Sequence, residues 1–324
     1  MVQHALPKSV ALIVLLLAGG AVLFLVENLS ATGLSARTGQ LSSGSLAPAS
    51  AASVALSRAT LLHCLRAAAD RDACLGEVFH AFLKQHSTVE ALAILKSHID
   101  TDGGLRLACH PIAHAIGRET FRIQGTVQAA FAACNQTCHS GCYHGATERF
   151  LRGVAAAEPE RRDVSPTDLH YPCSKLRAKY RPDCYVMQTS RMSELGLDTA
   201  YLFMECRKAG EYAQACMQSI GRDLSNDARI KDPKFVAQRC AIGTGEEQRA
   251  CIRGVVYALA DNTWDGRYAF PFCEAVSAAA DRAHCFSVAA SYLQGTFAKS
   301  VRELQADCQT YTPASMFCRE ALAD

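Results

Sequence analysis

Four of the chain's eleven histidines lie close together, at His110, His114, His139 and His144. Four cysteines, Cys109, Cys134, Cys138 and Cys142, share that window. Two stretches within it are imperfect copies of each other, Cys109-His110-Pro111-Ile112-Ala113-His114 running on to Glu119, and Cys138-His139-Ser140-Gly141-Cys142-Tyr143-His144 running on to Glu148. Each begins Cys-His at an expected helix start, has a second histidine about one turn in, and reaches a glutamate beyond it. Pro111 suits a first helical position, and Ser140 suits an N-cap. His110 and His114 are four apart, as are His144 and Glu148, so each pair shares a helix face. Two such helices packed side by side bring three imidazoles and one carboxylate together. Those are suitable ligands for zinc, copper, iron or manganese. His139, five positions before His144, is a further candidate ligand. Glu119 lies five positions after His114, about 140° round the helix, which makes it a poorer ligand. It falls, with Tyr143, to an orienting or acid–base role.

Other uses of the same residues compete. The spacing H-x3-H here lacks the glutamate of the metalloprotease helix H-E-x-x-H. Histidines hydrogen-bonded to carbonyls in a tight helix crossing, with Gly117 and Gly145 allowing close approach, would need no metal. A substrate or anion pocket is a third use. Cys134 to His139 reads C-x3-C-H, one residue longer than the usual haem attachment, and no methionine partner stands nearby, which disfavours haem. A redox dithiol at 134/138 or 138/142 would lack the usual C-x-x-C and its βαβ frame. The four cysteines can also form two disulfides, with three pairings open.

The elements that must position these residues are announced by the other cysteines. From Cys173 onward they come in pairs: Cys173/Cys184, Cys206/Cys216, Cys240/Cys251, Cys273/Cys285 and Cys308/Cys318. The first members recur at intervals of 33, 34, 33 and 35 positions. Such a period marks a helical repeat array. A break signal lies inside each pair: Arg181-Pro182-Asp183, Ala209-Gly210, Gly243-Thr244-Gly245, Asp281, and Thr312-Pro313. Each pair is therefore expected to staple the two arms of a helical hairpin, and Cys64/Cys74 is a further staple around Asp70-Arg71-Asp72. This layout resembles tetratricopeptide-like solenoids, and more closely the secreted cysteine-rich helical repeat proteins with one disulfide per hairpin. The resemblance covers Cys173 to Cys318 and rests on period and cysteine placement. It implies an architecture and carries over no functional residue.

The expected fold is all-α, a disulfide-stapled helical-hairpin array behind one N-terminal transmembrane helix. Composition agrees, with 49% apolar but only 7% aromatic residues and few strand-type runs. Thr88 to Ile99 reads as one amphipathic helix ended by Thr101-Asp102-Gly103-Gly104, and Gly125-Thr126 opens another. Sixteen cysteines, an even and high number, point to an oxidising compartment. Ser9 to Val26 is an uncharged apolar run of eighteen residues, about the length that approaches a bilayer core. Lys8 precedes it, so residues 1–8 are expected in the cytoplasm, with 9–26 as an anchor or a signal sequence. Residues 27–57 form a Ser/Ala/Gly-rich tether. A helical region with the His/Cys cluster follows at 58–170, and the cysteine-paired repeats at 171–324. The chain is thus expected at the plasma membrane as a single-pass protein facing the periplasm or exterior, with an envelope protein as a further partner.

A net charge of +2 argues against a nucleic-acid groove. No Gly-x-Ser-x-Gly elbow, P-loop or dinucleotide fingerprint occurs, so no reaction class is set. Asp261-Asn262-Thr263-Trp264-Asp265-Gly266 lacks the terminal glutamate of a calcium loop and reads as a connection between hairpins. The charge run Glu158 to Asp163 reads as a solvated loop. Two functions stand: a membrane-anchored extracytoplasmic repeat protein with a transition-metal site for binding or redox chemistry, or a non-catalytic interaction scaffold with a structural histidine cluster.

Overall fold

The N-caps written into the sequence start many of the helices. Ser87 and Glu90 form a reciprocal capping box, as do Ser300 and Glu303. Asp198, Asp232 and Ser315 cap three further helices through side-chain oxygens. The computed structural model describes residues 56–67, 70–152 and 168–323. The expected anchor at 9–26, nearly all of the tether and the charge run 158–163 lie outside them. Among the described residues no helix is long and apolar enough to cross a membrane.

Seventeen α-helices are seen among the described residues. The N-terminal set is α1 (Arg58–Arg66), α2 (Arg71–Leu83), α3 (Thr88–Ile99), α4 (Gly103–Leu107), α5 (Cys109–Gln124), α6 (Val127–Ala133) and α7 (Thr137–Arg152). Short helices α8 (Arg181–Tyr185) and α9 (Thr189–Glu194) follow. Then come four hairpins: α10 (Thr199–Arg207) with α11 (Ala213–Ile230), α12 (Pro233–Cys240) with α13 (Glu246–Thr263), α14 (Ala269–Ala275) with α15 (Ala279–Phe297), and α16 (Val301–Tyr311) with α17 (Met316–Glu320).

Disulfides join the arms of each of these hairpins, Cys206–Cys216, Cys240–Cys251, Cys273–Cys285 and Cys308–Cys318, and Cys64–Cys74 joins α1 to α2. The Cys173–Cys184 bond differs from a hairpin staple, because Cys173 sits on a single 3-10 turn and Cys184 on five-residue α8. Pro172 and Pro182 explain this, since proline is tolerated at a helix start but not inside one. Two breaks also lie slightly off their expected places. Asp281 belongs to the first turn of α15, and Arg181-Pro182-Asp183 opens α8 instead of separating two arms.

Two helix pairs cross at backbone contact, α5 with α7 and α11 with α13. A methyl group on Gly117 would collide with the Cys142 carbonyl oxygen, and one on Gly145 with that of His114. A methyl group on Gly221 would collide with the Cys251 carbonyl, and one on Gly254 with that of Gln218. The two crossings are copies. Ile116-Gly117-Arg118-Glu119 matches Ile220-Gly221-Arg222-Asp223, and Cys142-x-x-Gly145 matches Cys251-x-x-Gly254. In this register His110, His114, His144 and Glu148 correspond to Gln214, Gln218, Arg253 and Tyr257. Both pairs lie in one compact unit of the described residues.

Candidate metal centre

The α5–α7 crossing places its histidines because the glycines remove every side chain that would hold the helices apart. Helix α5 starts at Cys109, so His110 and His114 sit in its first two turns, with Pro111 at the third helical position instead of the first. The N-terminal end of α7 departs from expectation. Cys138, His139 and Ser140 are left-handed, with φ of 55°, 54° and 62°. Ser140 is therefore not an N-cap, and it lies beside Asp183. Non-glycine residues rarely adopt this conformation, and two disulfides brace it, Cys109–Cys138 and Cys134–Cys142. Those bonds occupy Cys134 and Cys138, the two sulfurs a haem attachment would require. All sixteen cysteines are paired in eight disulfides, and neither expected dithiol, 134/138 or 138/142, is one of the pairs.

Three imidazoles converge. One ring nitrogen from each of His110, His114 and His144 lies within 4.8 Å of the others, and all three residues are half-buried. The ring of His144 stands edge-on to both partners, with centroids 5.4 and 5.7 Å away. Two tautomers are fixed by partners that only accept. His110 Nδ1 donates to the Cys138 carbonyl at 2.9 Å, and His114 Nδ1 donates to a Glu148 carboxylate oxygen at 3.0 Å. Each ring, when neutral, then presents a bare Nε2, and these two atoms face each other at 3.0 Å. Two lone pairs at that distance repel unless a proton or a cation lies between them. Two nitrogens on one tetrahedral zinc, each at about 2.0–2.1 Å, stand about 3.3 Å apart.

A proton on His114 is the poorer solution. Burial, with smaller contributions from the neighbouring His110 and Arg118, lowers the His114 pKa to about 4 against the raising effect of its bond to Glu148. Burial also holds His144 well below the ordinary histidine range, assisted by His110, His114 and Arg222. His114 and His144 are thus kept neutral at pH 7, the form that ligates metal.

The structure separates the expected site residues into groups. Glu148 stands behind the triad and bonds His114 and also Arg118 at 3.2 Å, the carboxylate–histidine arrangement that orients a metal ligand. His139 stays outside the triad, with its ring 6.3 Å from that of His110 and its Nδ1 3.6 Å from Asp261. Glu119 is remote from the triad, buried beside His80 at 3.2 Å and Arg122 at 3.2 Å. Its place 140° round α5 from His114 explains this. Tyr143 also points elsewhere, donating to the Cys134 carbonyl and packing on Phe131.

The triad opens on a cavity of about 630 Å³. Sequence reasoning missed much of its lining: Arg118, Asp183 of α8, Gln218 and Arg222 of α11, Tyr257 and Asp261 of α13, and Tyr292 of α15. Asp261 is in the last turn of α13 and not in a connection. The duplicated Ile-Gly-Arg-acid motif was the available signal for Arg118 and Arg222. Burial raises the Asp183 pKa, partly offset by Ser140 beside it. Comparisons with protein families, with curated proteins and with solved structures find no match to this chain.

Proposed function

We propose that the chain is an extracytoplasmic metal-binding protein that holds a transition-metal ion through His110, His114 and His144. The observation that carries this is the pair of bare Nε2 atoms facing each other at 3.0 Å, each fixed by an acceptor on its other nitrogen. Three protein ligands would leave a further coordination position open, as in catalytic zinc sites. A bound ion would supply Lewis-acid character, or redox chemistry if it is copper or iron. Glu148 would orient His114, and the Cys138 carbonyl would orient His110.

The duplicated crossing weighs against a purely structural cluster. The α11–α13 pair achieves the same backbone contact with Gln214, Gln218 and Arg253 at the histidine positions, so close packing does not call for imidazoles. Eight disulfides favour an oxidising compartment, and the apolar run 9–26 would tether the protein there. Zinc or copper retained by protein purified from the periplasm, measured by elemental analysis, tests the proposal. One tightly held equivalent in the wild type, lost in His114→Ala and His144→Ala, is expected. Equal metal content in all three proteins would refute it.

A further inference from the structure

His139 and Asp261 form a second convergence in the same cavity. The His139 ring lies 6.3 Å from that of His110, centroid to centroid, and its Nδ1 stands 3.6 Å from Asp261 Oδ1. That is too long for a hydrogen bond. Nδ1 is nevertheless buried and has no hydrogen-bond partner. The same carboxylate oxygen accepts the Tyr292 hydroxyl at 2.7 Å, which holds the carboxylate in place. On the other side, the left-handed turn at φ 54° delivers the imidazole. Strained backbone of this kind persists where its surroundings over-determine it, and it gathers at ligand clamps.

The gap has a chemical size. A nitrogen and a carboxylate oxygen bound to one tetrahedral ion, at about 2.0–2.2 Å each, stand about 3.4 Å apart. We infer that His139 and Asp261 hold a second divalent transition-metal ion, so that the cavity carries two. Tyr292 is a positioning residue that orients the carboxylate, and solvent completes the coordination. With two protein ligands against three, this site is the weaker one. Its ligands are separate from the triad, so either site can fail without the other.

Zinc titration of the full-length, disulfide-intact chain by calorimetry tests the inference. The wild type is expected to take up two ions in two phases. Asp261→Asn keeps an acceptor for Tyr292, and His139→Asn keeps a residue that tolerates the left-handed turn. Both variants should retain the tight phase and bind the second ion at least about 10-fold more weakly. His144→Ala should lose the tight phase instead. Uptake of a single ion by the wild type, or a second phase unchanged in both variants, overturns the second site. Loss of one ion in Asp261→Asn with no effect of His144→Ala would support it while refuting the triad.

Discussion

Replacing Cys109 and Cys138 together by serine should weaken zinc binding while leaving the helices in place. The bond spans 29 positions, and closing a loop of that size stabilises the folded chain by roughly 3–4 kcal/mol in the chain-entropy model. With Cys134–Cys142 it braces Cys138, His139 and Ser140 in a left-handed conformation that costs about 1–2 kcal/mol per residue, roughly 3–6 kcal/mol for the turn. The two magnitudes are similar, so cutting the tie frees the turn to relax. The Cys138 carbonyl then leaves His110 Nδ1, and His110 loses the partner that fixes its tautomer and ring orientation. Removing such a partner lowers metal affinity about 10- to 100-fold. Competition titration of zinc against a chromophoric chelator at pH 7, with circular dichroism to confirm helix content, gives the affinity. The matched control is the Cys308→Ser/Cys318→Ser pair, which opens the terminal staple and should leave zinc affinity unchanged. A Cys109/Cys138 double variant that is fully helical and binds zinc within about twofold of the wild type would refute the link between turn and site.

Three further outcomes are expected. Glu148→Gln should lower zinc affinity about 10-fold, because the carboxylate that orients His114 is lost; the same chelator competition reads it, and an unchanged affinity would argue against the orienting role. The stability of the metal-free chain should fall as pH drops from about 6.5 to about 4, since the unfolded His114 takes up a proton that the folded one resists. That contribution is complete above the unfolded value, is lost as pH falls through the folded one, and amounts to at most about 3 kcal/mol; urea melts across this window, compared with His114→Gln, would show it as a shallower decline in the variant. Gly221→Ala should destabilise by about 1–3 kcal/mol by forcing the α11–α13 crossing apart, yet leave zinc affinity near wild type, whereas Gly117→Ala should reduce both.

Much of the scaffold could be read from cysteine spacing, because a staple between hairpin arms fixes the period of the array. The histidine convergence could also be read, since an i, i+4 pair on α5 and His144 on a neighbouring helix need only a close crossing, and Gly117 and Gly145 advertise one. The pairing of Cys109, Cys134, Cys138 and Cys142 could not, because three connectivities fit the same spacing. Nor could the left-handed turn, since Cys, His and Ser carry no preference for positive φ. That turn moves His139 off the triad and toward Asp261. Glu148 is a subtler case: the i, i+4 rule sets its face, but only the structure shows that it meets His114 Nδ1. Asp183, Arg222, Asp261 and Tyr292 were hidden for a different reason. They reach the cavity through the stacking of distant hairpins, and no local pattern encodes that approach.

X-ray absorption at the zinc edge of Asp261→Asn loaded with one equivalent addresses the triad most directly. Three nitrogen scatterers at about 2.0–2.1 Å, with the outer-shell features of imidazole, are expected. A sulfur scatterer at about 2.3 Å, or fewer than three imidazoles, would contradict a centre built from His110, His114 and His144.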